Sequence, residues 1–291
     1  MKVRNHNVGN RQIAVVTGGS RGIGRQLSRS LAEHTWDVAI CSRSTDQAKE
    51  TAKQLEREFG IRSLGVGADV VSNAEMSRFA EIVNNELGKP SVLICNAAVL
   101  GPVGRINRTS AADWSSALLT NVAGTANAIR VFWEDISRQQ DGRILCLSGG
   151  GIGGPNAMRR TSAYTSSKSA IVTLVESLSH DLTGSTATIN MLAPGSVSTT
   201  FLQGILEAGP DASGETLYQD ARHRARNPSE ELSQSLVNLV LYLLSEQSRH
   251  INGRLLSARW DTPEKLNSLR GTLRDQDLFT LRRIDDTLYF E

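Results

Sequence analysis

Short apolar runs alternate with stretches of helical periodicity along most of the chain. The runs occupy 13–16, 38–41, 64–66, 92–95, 144–147 and 189–192, with a seventh near 254–257. Each is brief and almost continuously apolar, the pattern of a parallel strand covered on both faces. Between them Met76, Phe79, Ala80, Val83 and Leu87 recur at helical spacing, as do Ile171, Leu174, Val175, Leu178 and Leu182; a last helix is predicted over 231–246. Repeated strand–helix–strand units predict an α/β fold, a doubly wound parallel sheet of about seven strands with helices on both faces.

No linker or low-complexity tract divides the 291 residues, so they read as a single domain. Two segments leave the rhythm. Residues 200–227 are polar and carry Gly204, Gly209, Pro210 and Gly214, which predicts a mobile lid over a site. Residues 258–291 form a charged C-terminal extension with scattered Leu, Phe and Tyr.

Charge is nearly balanced, 32 Lys+Arg against 30 Asp+Glu, which argues against nucleic acid as a partner. The first 12 residues hold no apolar signal core, and the most apolar stretch, 236–244, is broken by Asn238; a membrane span needs about 20 apolar residues. A cytoplasmic protein with no membrane partner is predicted. Cys41, Cys95 and Cys146 and the five His lack metal-ligand spacing, so no metal site is expected and the cysteines read as small buried hydrophobes.

Candidate chemistry begins right after the first run, at Thr17-Gly-Gly-Ser-Arg-Gly-Ile-Gly24. Gly18, Gly22 and Gly24, with Ser20, Arg21 and Ile23 among them, suit a sharp turn into a helix. Glycines let the backbone approach a pyrophosphate, and the helix N-terminus offers free N–H groups. An acidic residue about 20 positions later would hold a ribose hydroxyl, whereas an arginine accommodates a 2′-phosphate. The second run ends Cys41-Ser42-Arg43 with no carboxylate. Ser42, Arg43 and Arg21 therefore favour NADP(H), with NAD(H) the alternative; the competing reading makes Arg43 a solvated residue at a helix start.

Farther on, Tyr164 and Lys168 stand four residues apart in Ser162-Ala-Tyr-Thr-Ser-Ser-Lys168. On a helix they share a face, and a nearby ammonium lowers a phenol's pKa toward the range of a proton donor and acceptor.

These motifs, in this order, resemble the classical short-chain dehydrogenase/reductase family over about residues 12–257. The resemblance implies a Rossmann-type fold, a nicotinamide cofactor and hydride exchange with a ketone or secondary alcohol. It implies that Tyr164 is the general acid/base and that Lys168 holds the nicotinamide ribose. Asn121 would hold a water, Asp69 and the Val70 backbone the adenine, and Asn96-Ala97-Ala98 would match the family's Asn-Ala-Gly. Pro194 and Gly195 would shape the nicotinamide wall, with Val197 and Thr199 on the carboxamide. Family members often place their serine second after the fifth strand; here that position is Gly149, so Ser148 takes the catalytic assignment.

The resemblance further implies a small-molecule carbonyl or alcohol substrate and a homodimer or homotetramer. The Ser-Gly-Gly-Gly loop and the extension are similar to members acting on sugar- or cyclitol-like substrates, and a polar lid would suit these. Arg259, Trp260, Arg282 and Arg283 of the extension are read either as solvated charges or as substrate contacts, on a tail crossing the cleft or a neighbouring subunit. Two alternatives from other classes stay open: an epimerase or dehydratase using bound nucleotide as transient oxidant, and a non-catalytic NADP-binding regulatory protein.

Overall fold

The computed structural model describes residues 11–149, 152, 158–195, 200–226, 233–273 and 277–282. All seven apolar runs are strands: β1 (Ile13–Thr17), β2 (Asp37–Ser42), β3 (Ser63–Gly67), β4 (Val92–Cys95), β5 (Arg143–Leu147), β6 (Thr188–Ala193) and β7 (Leu255–Ser257). They form one parallel sheet in the order β3-β2-β1-β4-β5-β6-β7. Connections run outward in opposite directions from β1 and β4, which opens a crevice at the strands' carboxyl ends.

Helices α1 (Gly22–Glu33), α2 (Thr45–Phe59), α3 (Asn73–Glu86), α4 (Ala111–Leu118) and α5 (Gly124–Ser137) fill the first half. The second half holds α6 (Ser162–Asp181), α7 (Thr200–Ser213), α8 (Glu215–Arg226), α9 (Gln234–Leu243) and α10 (Pro263–Ser268). Alternate strand residues point to opposite faces, and each face has its own core. Leu27 and Leu31 of α1, Leu55 of α2 and Leu239 of α9 pack with Val16, Val38 and Ile40 on one side. On the other, Phe79 of α3, Phe132 of α5 and Val172 of α6 pack with Val15, Ala39 and Leu93. Phe79 and Phe132 meet edge to face at 5.7 Å, which locks α3 to α5.

Local chemistry sets the helix starts. Ser44, Ser72, Ser110 and Ser233 each accept the backbone N–H three residues on, a cap worth about 1 kcal/mol. At α1 the N-cap is Arg21, whose side chain makes no cap bond. The first N–H groups of that helix have no side-chain cap.

The segment 200–227 differs from the sequence expectation, because α7 and α8 form a packed pair. Leu202 and Ile205 of α7 and Ala221 of α8 are buried with Leu100 and Tyr164. The helical spacing of these few apolar residues is diluted by polar neighbours. Gly209 (φ 74°, ψ 171°) and Pro210 add a kink inside α7 that reads as a loop.

The described part of the C-terminal extension packs on its own chain. Leu266 and Leu273 are buried in the first core, Tyr242 donates to Asn267 Oδ1 at 2.9 Å, and Leu255 N–H donates to the Phe279 carbonyl at 2.7 Å. Arg282, a candidate substrate contact, instead pairs with Glu176 of α6 and with Asp277. Arg259 stacks on the exposed Trp260 at 4.6 Å. Arg283 lies outside the described residues. Among the described residues, no helix is long and apolar enough to cross a membrane.

Candidate active site

A cleft of about 340 Å³ opens over the carboxyl ends of β1, β4 and β5. The turn after β1 supplies one end. Gly18 has φ 64°, and its N–H donates to the Cys41 carbonyl at 2.8 Å; a left-handed residue at this bend is inexpensive only as glycine. A Cβ on Gly24 would fall inside Asn96 Nδ2 and the Gly18 carbonyl, so that glycine packs beneath the turn instead of lining the cleft. Asn96 pins the same turn, donating through Nδ2 to the carbonyls of Thr17 (2.9 Å) and Gly18 (3.0 Å).

Gly18, Ser20, Arg21, Gly22 and Ile23 line this end, with Ser42 and Arg43 beside them. The sequence reading missed Ser44 and Gln47, which continue the wall; their only signal is the start of a helix right after Arg43. Asp69 and Val70 flank the cleft on the far side, where Asp69 Oδ1 accepts the Val71 N–H at 3.0 Å. Asn96, Ala97 and Ala98 form the floor. Ala98 is not among the residues with positive φ, so alanine costs nothing in place of the family's glycine.

At the other end stand Ser148, Tyr164, Lys168 and Pro194. Gly195 (φ 81°) follows Pro194 without lining the cleft, and Val197 and Thr199 lie outside the described residues. Phe201 of α7 joins the wall, its ring edge-on to Tyr164 at 4.8 Å. Thr120 also lines it.

Asn121 does not touch the cleft. It is fully buried in a π-helical turn, Leu119–Ala123, between α4 and α5. Its Oδ1 accepts the Val99 N–H at 2.8 Å, and its Nδ2 donates to the Val99 carbonyl and to Ser167 Oγ, each at 2.9 Å. One amide thereby staples the loop after β4 to α6, one residue from Lys168. The wide turn aims the amide inward, a common use of a π-bulge.

Lys168 is buried, and its Nζ donates to the Leu147 carbonyl at 2.7 Å and lies 5.8 Å from the Tyr164 ring. Burial pulls its pKa down to about 8, because an ammonium loses hydration there. Tyr164 moves opposite to the sequence expectation: burial holds its phenol above the ordinary value. The ammonium is engaged by a carbonyl, and desolvation dominates.

Ser148 is buried; its N–H donates to the Leu192 carbonyl at 2.8 Å, and its Oγ makes a long 3.4 Å bond to the next carbonyl. Gly149 has a sharper constraint. A Cβ there would fall inside the Tyr164 hydroxyl and lie 2.6 Å from its Cζ. The tyrosine fills the space that a side chain at 149 would need.

The sequence model of the family described as short chain dehydrogenase matches residues 12–209. The chain belongs to the short-chain dehydrogenase family. It is an oxidoreductase of that family, and its curated relatives are named as reductases and dehydrogenases. The 3-oxoacyl-acyl-carrier-protein reductase FabG of Staphylococcus epidermidis is 26% identical over 246 residues, covering 84% of this chain and 95% of its own. A short-chain type dehydrogenase/reductase of Picea abies is 28% identical over 255 residues, covering 84% and 90%.

Among solved structures, NAD+-bound xylitol dehydrogenase superposes with a TM-score of 0.75 at 21% identity over 86% of this chain and 98% of that one, a likeness of fold. An NADPH-bound short-chain oxidoreductase of Pseudomonas aeruginosa PAO1, described as containing an atypical catalytic centre, has a TM-score of 0.71 at 25% identity, covering 84% and 94%.

Proposed function

We propose that this protein is an NADP(H)-dependent oxidoreductase acting between a ketone and a secondary alcohol, with Tyr164 as general acid/base. One observation carries the reading: Tyr164 and Lys168, from one helix, line the same cleft as the glycine turn after β1. The cleft fits a dinucleotide. Its turn is open to close backbone approach, the α1 N-terminus is uncapped, and Arg21 and Arg43 stand beside Ser42 at the end where a 2′-phosphate would lie.

Hydride chemistry belongs to the bound nicotinamide. The chain's own residues manage the proton. Burial keeps the Tyr164 hydroxyl protonated near neutral pH, ready to donate to a ketone oxygen. Lys168 then stabilises the phenolate that remains. Ser148 Oγ, weakly engaged within the chain, supplies a second donor to that oxygen.

Leu100, Leu202 and Ile205 form an apolar wall beside Tyr164 and keep water from the reacting atoms. The segment after β6 turns an apolar face toward Tyr164, so the support for a sugar- or cyclitol-like substrate within this ketone/alcohol class is the Ser-Gly-Gly-Gly loop and the C-terminal extension. Asn121 serves as a positioning residue through Val99 and Ser167. Homo-oligomeric assembly remains part of the proposal on family grounds.

NADPH or NADH oxidation at 340 nm across a ketone panel tests the reading. Net oxidation supports it; an epimerase would return the nucleotide unchanged, and a regulatory protein would bind without turnover. Arg21→Ala with Arg43→Ala is expected to raise KM for NADPH at least about tenfold more than KM for NADH. Equal effects on the two reject the NADP(H) preference.

A further inference from the structure

Four arginines lie on two segments that adjoin the Tyr164 cluster, and the proton chemistry uses none of them. Arg105 and Arg108 bracket a 3-10 turn, Ile106–Arg108, in the loop after β4. Arg159 and Arg160 immediately precede α6. The backbone ties the two segments together: Gly104 N–H donates to the Arg160 carbonyl at 2.7 Å, and Trp114 Nε1 donates to Ser162 Oγ at 3.1 Å. Arg108 closes the turn onto Arg105, its N–H donating to the Arg105 carbonyl at 2.8 Å.

Arg105, Arg108 and Arg159 are exposed and Arg160 is half-buried. Among the described residues none of these side chains has an ion pair or hydrogen bond. Within their own segments, 99–113 and 158–175, the one acidic residue is Asp113, and among the described residues it makes no ion pair with them. Elsewhere on the surface, arginines pair readily with carboxylates, as Arg29 does with Glu58 and Arg249 with Asp141.

Arg160 also has φ 64°, a left-handed conformation that is strained for a non-glycine residue. The rim adjoins the reacting end of the cleft. Leu100 and Val103 pack in the Tyr164 cluster, Arg105 follows Val103 by two residues, and Arg160 precedes Tyr164 by four.

We propose that this rim binds a phosphate-bearing small-molecule substrate, holding its anionic end while the ketone reaches Tyr164. The proposal rests on the oxidoreductase reading above and names the substrate class of that same site. Guanidinium groups bind phosphate oxygens through paired, charge-assisted hydrogen bonds, and an uncompensated basic rim raises the local concentration of anions.

Two matched pairs separate the sources of phosphate: dihydroxyacetone phosphate against dihydroxyacetone, and acetoacetyl-coenzyme A against the N-acetylcysteamine thioester of acetoacetate. The wild-type protein is expected to prefer the phosphate-bearing member of at least one pair by about tenfold or more in kcat/KM. Arg105→Ala with Arg160→Gly, where glycine keeps the positive φ, should abolish that preference through KM and leave the neutral member within about twofold. Calorimetric titration of the same phosphate-bearing compounds into protein saturated with NADP+ gives a second readout, lost in the double variant. No preference and no arginine-dependent binding for either compound overturns the proposal. Arginine-dependent binding without turnover of any ketone supports the rim and rejects the oxidoreductase reading, so the two failures are distinguishable.

Discussion

Gly149→Ala adds a single methyl group where the Tyr164 ring already stands. The new Cβ would lie 2.6 Å from Tyr164 Cζ, whereas ordinary contact begins near 3.4 Å. Clearing Cζ alone requires the ring to retreat by at least about 0.8 Å (3.4 − 2.6), and the nearer hydroxyl requires more, or the β5 end must give way by as much. The strand end is anchored by Ser148 N–H on the Leu192 carbonyl and by Lys168 Nζ on the Leu147 carbonyl. The softer response is the ring swinging toward Phe201. A misplacement near 1 Å costs roughly 100-fold in rate, about 2.7 kcal/mol of barrier. Overpacking itself costs about 1–3 kcal/mol of stability, or roughly 2–4 °C in Tm per kcal/mol. Steady-state NADPH oxidation with a ketone found by the panel should show kcat reduced about 100-fold and the nucleotide KM within about twofold. Gly149→Ser, whose larger side chain needs the same space, is expected to be as damaging. Gly271→Ala, which meets nothing within 4 Å, is the control and should leave kcat unchanged. Wild-type or improved kcat in both Gly149 variants would refute the steric argument.

Other outcomes follow from the same geometry. Ser148→Ala should lower kcat at least about tenfold by removing a donor to the developing charge; an unchanged kcat rejects that role. Asn121→Ala leaves the Val99 N–H and carbonyl without their amide partner, at about 1–3 kcal/mol for a buried group left unsatisfied; calorimetry should show Tm falling by several degrees, and a loss under about 1 °C contradicts the staple. For Lys168, the folded pKa of about 8 lies below the unfolded value near 10.4, so between those pH values the unfolded chain binds more protons and stability rises with pH. Lys168→Met should accordingly be more stable than wild type near pH 7, by up to about 3 kcal/mol, with the gain shrinking toward pH 10. A gain that does not vary with pH would show that the buried ammonium is not its source.

Much of this protein is written in local pattern. Short apolar runs mark the strands because both sheet faces are covered, and serine caps and helical spacing mark most helices. The glycine turn and the Tyr164–Lys168 pair were legible because each is a contiguous motif whose chemistry needs those residue types at that spacing. Tertiary structure alone decided the rest. Gly149 looks like a missing side chain in sequence, but in space it makes room for a phenol 15 residues away. Asn121 carries no signal that its amide reaches both Val99 and Ser167. The inward apolar face of α7 and α8 is hidden by polar neighbours and a Gly-Pro kink, and burial reversed the direction expected for Tyr164. The segments of Arg105 and Arg160 are joined by hydrogen bonds between distant positions, Gly104 N–H to the Arg160 carbonyl and Trp114 Nε1 to Ser162 Oγ. Sequence specifies what each segment prefers within a few residues; steric exclusion, desolvation and charge proximity act between segments and exist only once the chain has folded.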